Sequence, residues 1–437
     1  MIIFRLKISQ EVPLNLPIFL VYFPPSNLAA EDIATQLLLD QMRHDYVIVI
    51  SLDSTQITKL IEKCGQDSTN QWIVPNDKEL LELFLLPPNG IKVFARLVKN
   101  SLKNIKITPY QTRGGITKSS LFFGRRTILK QILSGEPQNY FLVGGRGIGK
   151  TSILKEIKRR YQRNHPEVNC LFFSSSEKFL LGLQHKLNLK NASLFEALTV
   201  LVERSEGKRC LILLDEIDSF IKREATSEYE TLKMLRKFSE DGTCNFILAG
   251  FWELFKNSVD HQSPIHNFAK SIEITALETD AGEELISKPM DLLDIDCSNF
   301  VEEIITITGG RANLVATICD QLVQTAPANG RIIEIQSALQ SLEVYRTLAG
   351  WVRLTKDKEQ SRLDRIIVYS TIEPGEFSRD DLDLKQYSPN LVTESLQRLQ
   401  IAFIIKLVAK NRYDYCVPLF REMLLEQDVK GLLEQEL

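Results

Sequence analysis

Three rhythms of apolar and polar residues succeed one another along the 437-residue chain. In the first, short apolar runs precede stretches of helical period. "IFLVYF" (Ile18–Phe23) leads to a helical pattern near Ala30–Arg43, and "YVIVISL" (Tyr46–Leu52) to one near Thr55–Cys64. "QWIV" (Gln71–Val74) is followed by "DKELLELFLL" (Asp77–Leu86). Such alternation predicts a small α/β domain with a parallel sheet over residues 1–108. "TPYQTRGGITKSS" (Thr108–Ser120) is rich in turn formers and reads as a linker.

The second rhythm fills residues 109–277. Five apolar runs (Tyr140–Val143, Cys170–Phe173, Cys210–Leu214, Phe246–Ala249 and Ser271–Ile274) are separated by helical stretches. Several are apolar throughout, as central parallel strands covered on both faces must be. After Leu277 the strand signal stops. Helical patterns at Asp280–Ser287, Ser298–Thr308 and Asn313–Gln324 predict a helical lid over residues 278–354. The third rhythm, residues 355–437, sets helices around Ser361–Thr371, Arg379–Lys385 and Pro389–Leu399 before two strand-like runs, Ala402–Ala409 and Tyr413–Val417. That order predicts a winged helix-turn-helix.

Composition narrows the setting. The chain is 44% hydrophobic and 25% charged, with a net charge of −3, which suits a soluble globular protein and argues against one that coats nucleic acid. Seven cysteines (Cys64, Cys170, Cys210, Cys244, Cys297, Cys319, Cys416) form no CxxC or Cys/His pair of zinc spacing, so reduced and mostly buried thiols are expected. His44, His165, His185, His261 and His266 show no ligand spacing either. Ile18–Phe23 is too short to span a bilayer and is stopped by Pro24 and Pro25, so the expectation is a cytoplasmic chain without membrane contact.

Candidate chemistry concentrates in the middle segment. "GGRGIGKT" (Gly144, Gly145, Arg146, Gly147, Ile148, Gly149, Lys150, Thr151) fits GxxxxGK[ST] at every defined position, behind a strand and before "SILKEIKRRY". Glycines let successive N–H groups turn inward around phosphates, Lys150 neutralises charge, and the Thr151 hydroxyl can ligate Mg²⁺. The following helix aims its positive end at the same phosphates, with Ser152 in its first turn. "CLILLDEIDSF" (Cys210–Phe220) delivers two carboxylates at a strand end, where ligands gather in open α/β sheets. Asp215 is suited to hold Mg²⁺, and Glu216 to polarise an attacking water as general base or, in the plainer reading, to cap a helix. Lys150 and Glu216 are therefore the expected catalytic pair.

The ordered set "FFGRRTILKQIL" (Phe122–Leu133), the glycine loop, "LILLDEID", "FILAGFWEL" (Phe246–Leu254) and "TGGRANLVATICDQL" (Thr308–Leu322) resembles the bacterial and archaeal STAND/AAA-like P-loop ATPases, relatives of the origin-recognition ATPases. The resemblance covers roughly residues 108–425. It implies a five-stranded parallel P-loop core, a helical lid and a winged helix, with ATP and Mg²⁺ as ligands. It also implies that Phe123, Gly124 and Arg125 lie against adenine and ribose. Two departures stand out. Where the family usually presents a polar residue after the fourth strand, this chain has Ala249-Gly250-Phe251; where the lid usually carries a proline, Gly310-Arg311 is followed by Ala312. Arg311 either reaches a γ-phosphate from the lid or lies on the surface.

Lesser features point to partners. The basic "KEIKRRYQRNH" (Lys155–His165) reads as a solvated helix face. Asp45 and Asp53 flank an N-terminal strand and read as solvated strand-end carboxylates. Residues 355–437 hold 12 Lys/Arg against 15 Asp/Glu, and the candidate recognition helix offers only Arg398 as a base-reading cation. That balance favours a protein partner or self-assembly over DNA, since DNA binding needs cations to replace phosphate counterions; Lys406, Lys410 and Arg412 in the wing keep DNA as the alternative. The expected function is a slowly hydrolysing ATP switch in signalling or defence. The alternatives are a DNA-associated ATPase of replication-initiator or transposition-regulator type, and a nucleotide-binding module without turnover.

Overall fold

The computed structural model describes residues 2–6, 19–40, 46–66, 72–85, 87–101, 108–134, 138–165, 169–326 and 330–437. Asp45 and His44 lie outside them. The chain divides into two compact units, and the expected lid segment 278–354 is shared between them.

One unit comprises Met1–Gln111, Glu284–Val301 and Cys319–Ala338. Its sheet runs in the order β1 (Ile2–Leu6), β2 (Phe19–Phe23), β3 (Tyr46–Val49), β4 (Trp72–Ile73). β2, β3 and β4 are parallel, whereas β1 is an antiparallel edge strand that the strand–helix rhythm did not anticipate. Helices Ala30–Asp40 and Ser54–Gln66 cover a core of Tyr22, Ile33, Leu60 and Trp72. Asp53 accepts from the N–H groups of Thr55 (2.8 Å) and Gln56 (3.1 Å), so it caps a helix.

The other unit comprises Thr112–Glu283, Glu302–Ile318 and Leu339–Leu437. Five parallel strands, β5 (Tyr140–Val143), β6 (Cys170–Phe173), β7 (Cys210–Leu214), β8 (Cys244–Gly250) and β9 (Lys270–Glu273), lie in the order β6-β7-β8-β5-β9. Period-two alternation sends Ile212, Leu214, Phe246 and Leu248 to one face, and Leu211, Leu213, Ile247 and Ala249 to the other. Both faces are packed, which is why these runs read as uniformly apolar. Because β8 separates β5 from β7, the loops after β5 and β7 meet across its end.

Two expectations need correction here. Thr108–Ser120 was expected as a linker, yet its described residues from Thr112 are stitched to the basic helix Lys150–Asn164. Lys155 donates to Gly115 O (2.8 Å), Arg159 to Thr117 O (2.9 Å), and Ser152 Oγ accepts from Ile116 N (3.0 Å). The basic face is therefore partly spent on this strap, and Arg159 and Arg160 also pair with the fully buried Glu156. The helix expected at Arg379–Lys385 is a single 3-10 turn, Arg379–Asp381. Ser378 and Asp381 close a capping box around that turn, and Leu382 is already extended (φ −86°, ψ 113°).

The C-terminal elements of this unit are helix Lys358–Thr371, β10 (Phe377–Ser378), helix Pro389–Ile401, β11 (Ile405–Ala409), β12 (Arg412–Tyr415) and two closing helices. The strands form an antiparallel sheet in the order β10-β12-β11. An ion pair joins the two longer helices internally. Arg398 donates to Asp364 at 2.8 and 2.7 Å, and both side chains are 1% exposed. Burial pushes the Asp364 carboxyl up, against the pull of Arg398 and Ser395. The Arg398 guanidinium also lies 4.9 Å from the Trp252 ring, and Lys256 reaches Glu394 at 3.3 Å, so helix Pro389–Ile401 docks on helix Trp252–Val259. Arg398, the only cation expected to read bases, is thus a core residue.

Arg398→Ala would strand Asp364 as an unpaired buried carboxylate and should cost about 3–5 kcal/mol of stability in denaturant unfolding. Pairing Arg398→Met with Asp364→Leu should recover most of that loss.

Candidate functional site

The loop after β5 curls from Gly144 to Gly149 and opens the helix at Lys150. Gly147 (φ 71°) and Gly149 (φ 106°) take left-handed conformations that L side chains rarely adopt, which explains glycine at both positions. A Cβ on Gly149 would meet nothing within 4 Å, so the turn is open at that position. Lys150 Nζ donates to Gly144 O (2.6 Å) and Gly145 O (2.7 Å). Burial pushes its ammonium down to about 8, opposed by Asp218 and Asp215. A cation held only by carbonyls at the mouth of an open backbone turn is arranged to receive an anion.

Across the end of β8, Thr151 Oγ1 donates to Asp215 Oδ2 at 2.5 Å. Asp215 is 3% exposed, and burial raises its carboxyl against the bonds from Thr151 and the Glu216 N–H. A hydroxyl and a carboxylate in direct contact at a strand edge form a hard oxygen pair of the type that Mg²⁺ takes. Glu216 is exposed, adopts φ 52° and begins the helix Ile217–Glu224, with its N–H on Asp215 Oδ1 (3.0 Å). It accepts no capping bond, so the plain helix-cap reading does not hold. The structure therefore brings Lys150, Thr151, Asp215 and Glu216 to one edge of the sheet.

Arg125 departs from its expected place beside a base and ribose. It is 4% exposed, and its guanidinium donates to Thr275 O (2.7 Å), Ala276 O (2.7 Å) and Ile148 O (3.1 Å). It braces the glycine loop against the segment after β9 through these three carbonyls. Burial lowers its pKa, with Glu278 opposing. Gly124 (φ 69°) sits so close to that segment that a Cβ would come within 2.5 Å of Ala281 Cβ. Phe123 is half-buried.

Arg311 is 2% exposed, which removes the surface reading. Its guanidinium donates to Ala402 O (2.8 Å), Phe403 O (3.3 Å) and the Arg146 carbonyl, and lies 3.9 Å from the Trp351 ring centre. Its Nε is buried without a hydrogen-bond partner, and burial pushes the guanidinium down to about 9. The Gly145 N–H donates to Ile401 O at 2.9 Å. The C-terminal end of helix Pro389–Ile401 is thus seated on the glycine loop, an arrangement that no motif announced. The signal available in sequence was the departure after β8, because Trp252 supplies the docking face there. Asp218 was also missed: it accepts from Phe251 N (2.7 Å), Glu253 N (2.8 Å) and Leu254 N (3.3 Å).

With this geometry in hand, residues 133–256 match the family model described as AAA domain. The chain carries an AAA-type P-loop domain. Its fold is similar to the Walker-type ATPase of Pyrococcus abyssi, at 16% identity and a TM-score of 0.54 over 72% of this chain and 99% of that one. It is also similar to the Aeropyrum pernix Orc1 protein, solved in complex with DNA (14% identity, TM-score 0.40, 72% and 96% covered). A third likeness is to Cdc6p of Pyrobaculum aerophilum (15% identity, TM-score 0.35, 71% and 92% covered). No curated protein matches the chain in sequence. None of the seven cysteines, all among the described residues, is in a disulfide, and six are buried. Among the described residues no group of three or more His, Cys, Asp or Glu could hold a metal, and no helix is long and apolar enough to cross a membrane.

Gly145→Ala tests the seat on the loop. Its Cβ would lie 2.7 Å from Ala402 O and 2.9 Å from Ala402 Cα, both backbone atoms, so the Ile401–Phe403 segment must withdraw. The buried Cys416, whose N–H bonds to Ile404 O, should then react with a thiol reagent about tenfold faster, read residue by residue by mass spectrometry.

Proposed function

We propose that this chain is an ATP-dependent regulatory switch that binds ATP with Mg²⁺ and hydrolyses it slowly. The observation that carries the reading is the double occupancy of the glycine loop. The N–H of Gly145 and the guanidinium of Arg311, groups suited to phosphate, are satisfied by carbonyls at the end of helix Pro389–Ile401. Phosphate oxygens and these carbonyls are rival acceptors, so a nucleotide and the docked C-terminal elements bias each other's equilibrium.

Thr151 and Asp215 would hold Mg²⁺, which supplies neutralisation of the phosphate oxygens. The open turn Gly144–Gly149, Lys150 and the first helical turn with Ser152 would bind the phosphates, and Phe123 with Gly124 would border the base and ribose. Glu216, exposed at the strand end, would take the proton of the attacking water as it adds to the terminal phosphorus. Ala249, Gly250 and Phe251 offer no polar side chain beside that reaction, which supports slow turnover. Arg311 would leave its carbonyls for the terminal phosphate and report its loss. The element order of residues 355–437 supports a winged helix, and the burial of Arg398 favours a protein partner or self-assembly over DNA for its recognition helix. Roles in signalling or defence rest on the family resemblance.

A DNA-associated ATPase is the second reading, favoured by the exposed wing with Lys406, Lys410 and Arg412. Lys406 and Arg412 already face Asp414 and Glu376 at 3.9 and 2.9 Å, which leaves little surplus positive charge. Retention of duplex DNA at low salt with a steep salt slope would establish that reading in place of the first.

Lys150→Ala should abolish ATP binding, and Glu216→Gln should retain binding while phosphate release falls by about 10²-fold or more. Equal phosphate release by wild type and Glu216→Gln would leave a binding module without turnover. The pH dependence has a definite sign. Phosphate binds the charged Lys150 and raises its pKa, so affinity is flat below the free-state value of about 8 and falls as pH rises through it. Lys150→Arg should remove that slope in binding titrations.

A further inference from the structure

We propose that Asp218 is a positioning residue that holds the C-terminal elements on the nucleotide loop, through the turn after β8. This deepens the switch reading, and rests on it only for the consequence to nucleotide. Asp218 stands three residues after Asp215, in the first turn of helix Ile217–Glu224. Its two oxygens take three N–H groups from another element: Oδ2 accepts from Phe251, and Oδ1 from Glu253 and Leu254.

Those groups are the otherwise unsatisfied donors at the start of helix Trp252–Val259, whose own N-cap, Phe251, has no side chain able to accept them. A carboxylate from the neighbouring helix supplies the cap, with the sign that a helix N-terminus favours. Glycine is required at position 250, since a Cβ there would come within 2.9 Å of Asp218 Oδ2 and 2.8 Å of Ile217 Cγ2.

The clamped turn presents the docking face. Trp252 is the first residue of the capped helix and lies under the Arg398 guanidinium; Lys256, one turn on, pairs with Glu394. Helix Pro389–Ile401 then ends with Ile401 O on the Gly145 N–H. An unbroken series of contacts therefore runs from the residue two places after Glu216 to the loop itself, by way of the C-terminal helix. The polar group expected after the fourth strand is supplied from the Asp-Glu-Ile-Asp segment, and it acts on backbone.

The test is amide hydrogen exchange on the full chain without nucleotide. In Asp218→Ala, protection of residues 398–404 should fall by at least tenfold while strands β5, β7 and β9 keep theirs. Asp218→Asn should fall in between, because its amide nitrogen cannot accept from Phe251 N–H. With the rival acceptors loosened, ATP should bind more tightly in the same order. Unchanged protection of 398–404 in folded Asp218→Ala, or a uniform loss across the core, would overturn the proposal and leave Asp218 a helix cap. Should Asp218→Ala not fold, Asp218→Asn decides by the same criterion. If Lys150→Ala fails to alter nucleotide binding, the switch reading falls, yet the nucleotide-free exchange result still stands or fails by itself.

Discussion

One hydrogen bond organises this molecule: the N–H of Gly145 given to the carbonyl of Ile401. A glycine loop of this type is stable only because its N–H groups find acceptors, and a phosphate is one such acceptor. Here the last turn of a helix some 250 residues downstream (401 − 145 = 256) supplies one instead. The pairing suits both sides electrostatically. Helix C-termini carry partial negative charge, and the loop surroundings hold Lys150, Arg146 and Arg311. Arg311 reinforces the seat by taking Ala402 O and the Arg146 carbonyl together, so a single buried guanidinium ties the loop to the docked helix.

The same region concentrates positive charge, and at Lys150 the nearby Asp215 and Asp218 only partly offset the effect of burial. Lys150 and Arg311 are both driven towards neutrality by burial, to about 8 and about 9. A site that depresses its own cations gains from any multivalent anion that restores them, beyond the contacts made directly. That gain is the differential interaction a ligand-driven switch requires, since a ligand with equal affinity for both states shifts nothing. By contrast, the Arg398–Asp364 pair is closed on itself and shielded by Trp252, and it contributes to the seat as packing and orientation.

Much of this architecture was legible in the chain. The strands β5, β7 and β8 fall within a few residues of their apolar runs, because strands buried on both faces are almost continuously apolar, whereas the edge strand β9, Lys-Ser-Ile-Glu, is mostly exposed. The glycine loop and Asp215-Glu216 were legible because their chemistry fixes both residue type and spacing. What escaped was long-range. Arg125 belongs to a recognisable box, yet sequence spacing cannot say whether its guanidinium faces a ligand or the three carbonyls it takes. Arg398 looked like a base-reading cation because helical period alone does not reveal that Asp364, 34 residues earlier, waits opposite it. Strand β1, "IIFRL", is apolar but for Arg5; it was missed since it pairs antiparallel with β2 at the sheet edge and so stands outside the strand–helix rhythm.

The non-polar turn after β8 looked in sequence like a lost function, a sensor position without its polar side chain. Its geometry argues for a function relocated. A polar side chain at position 251 could cap its own helix and contact a phosphate, but it could not at the same time fix the turn against the helix that follows Glu216. Asp218 does the capping from that helix, so the turn moves with the carboxylates, and the freed positions are apolar enough to hold Trp252 beneath Arg398. The turn after β8 thereby serves as an attachment point for helix Pro389–Ile401 through Trp252 and Arg398. Because a bound phosphate and the docked carbonyls compete for the same loop, on the proposed reading ATP would loosen the C-terminal elements and hydrolysis would let them reseat, an arrangement that suits a switch better than a motor.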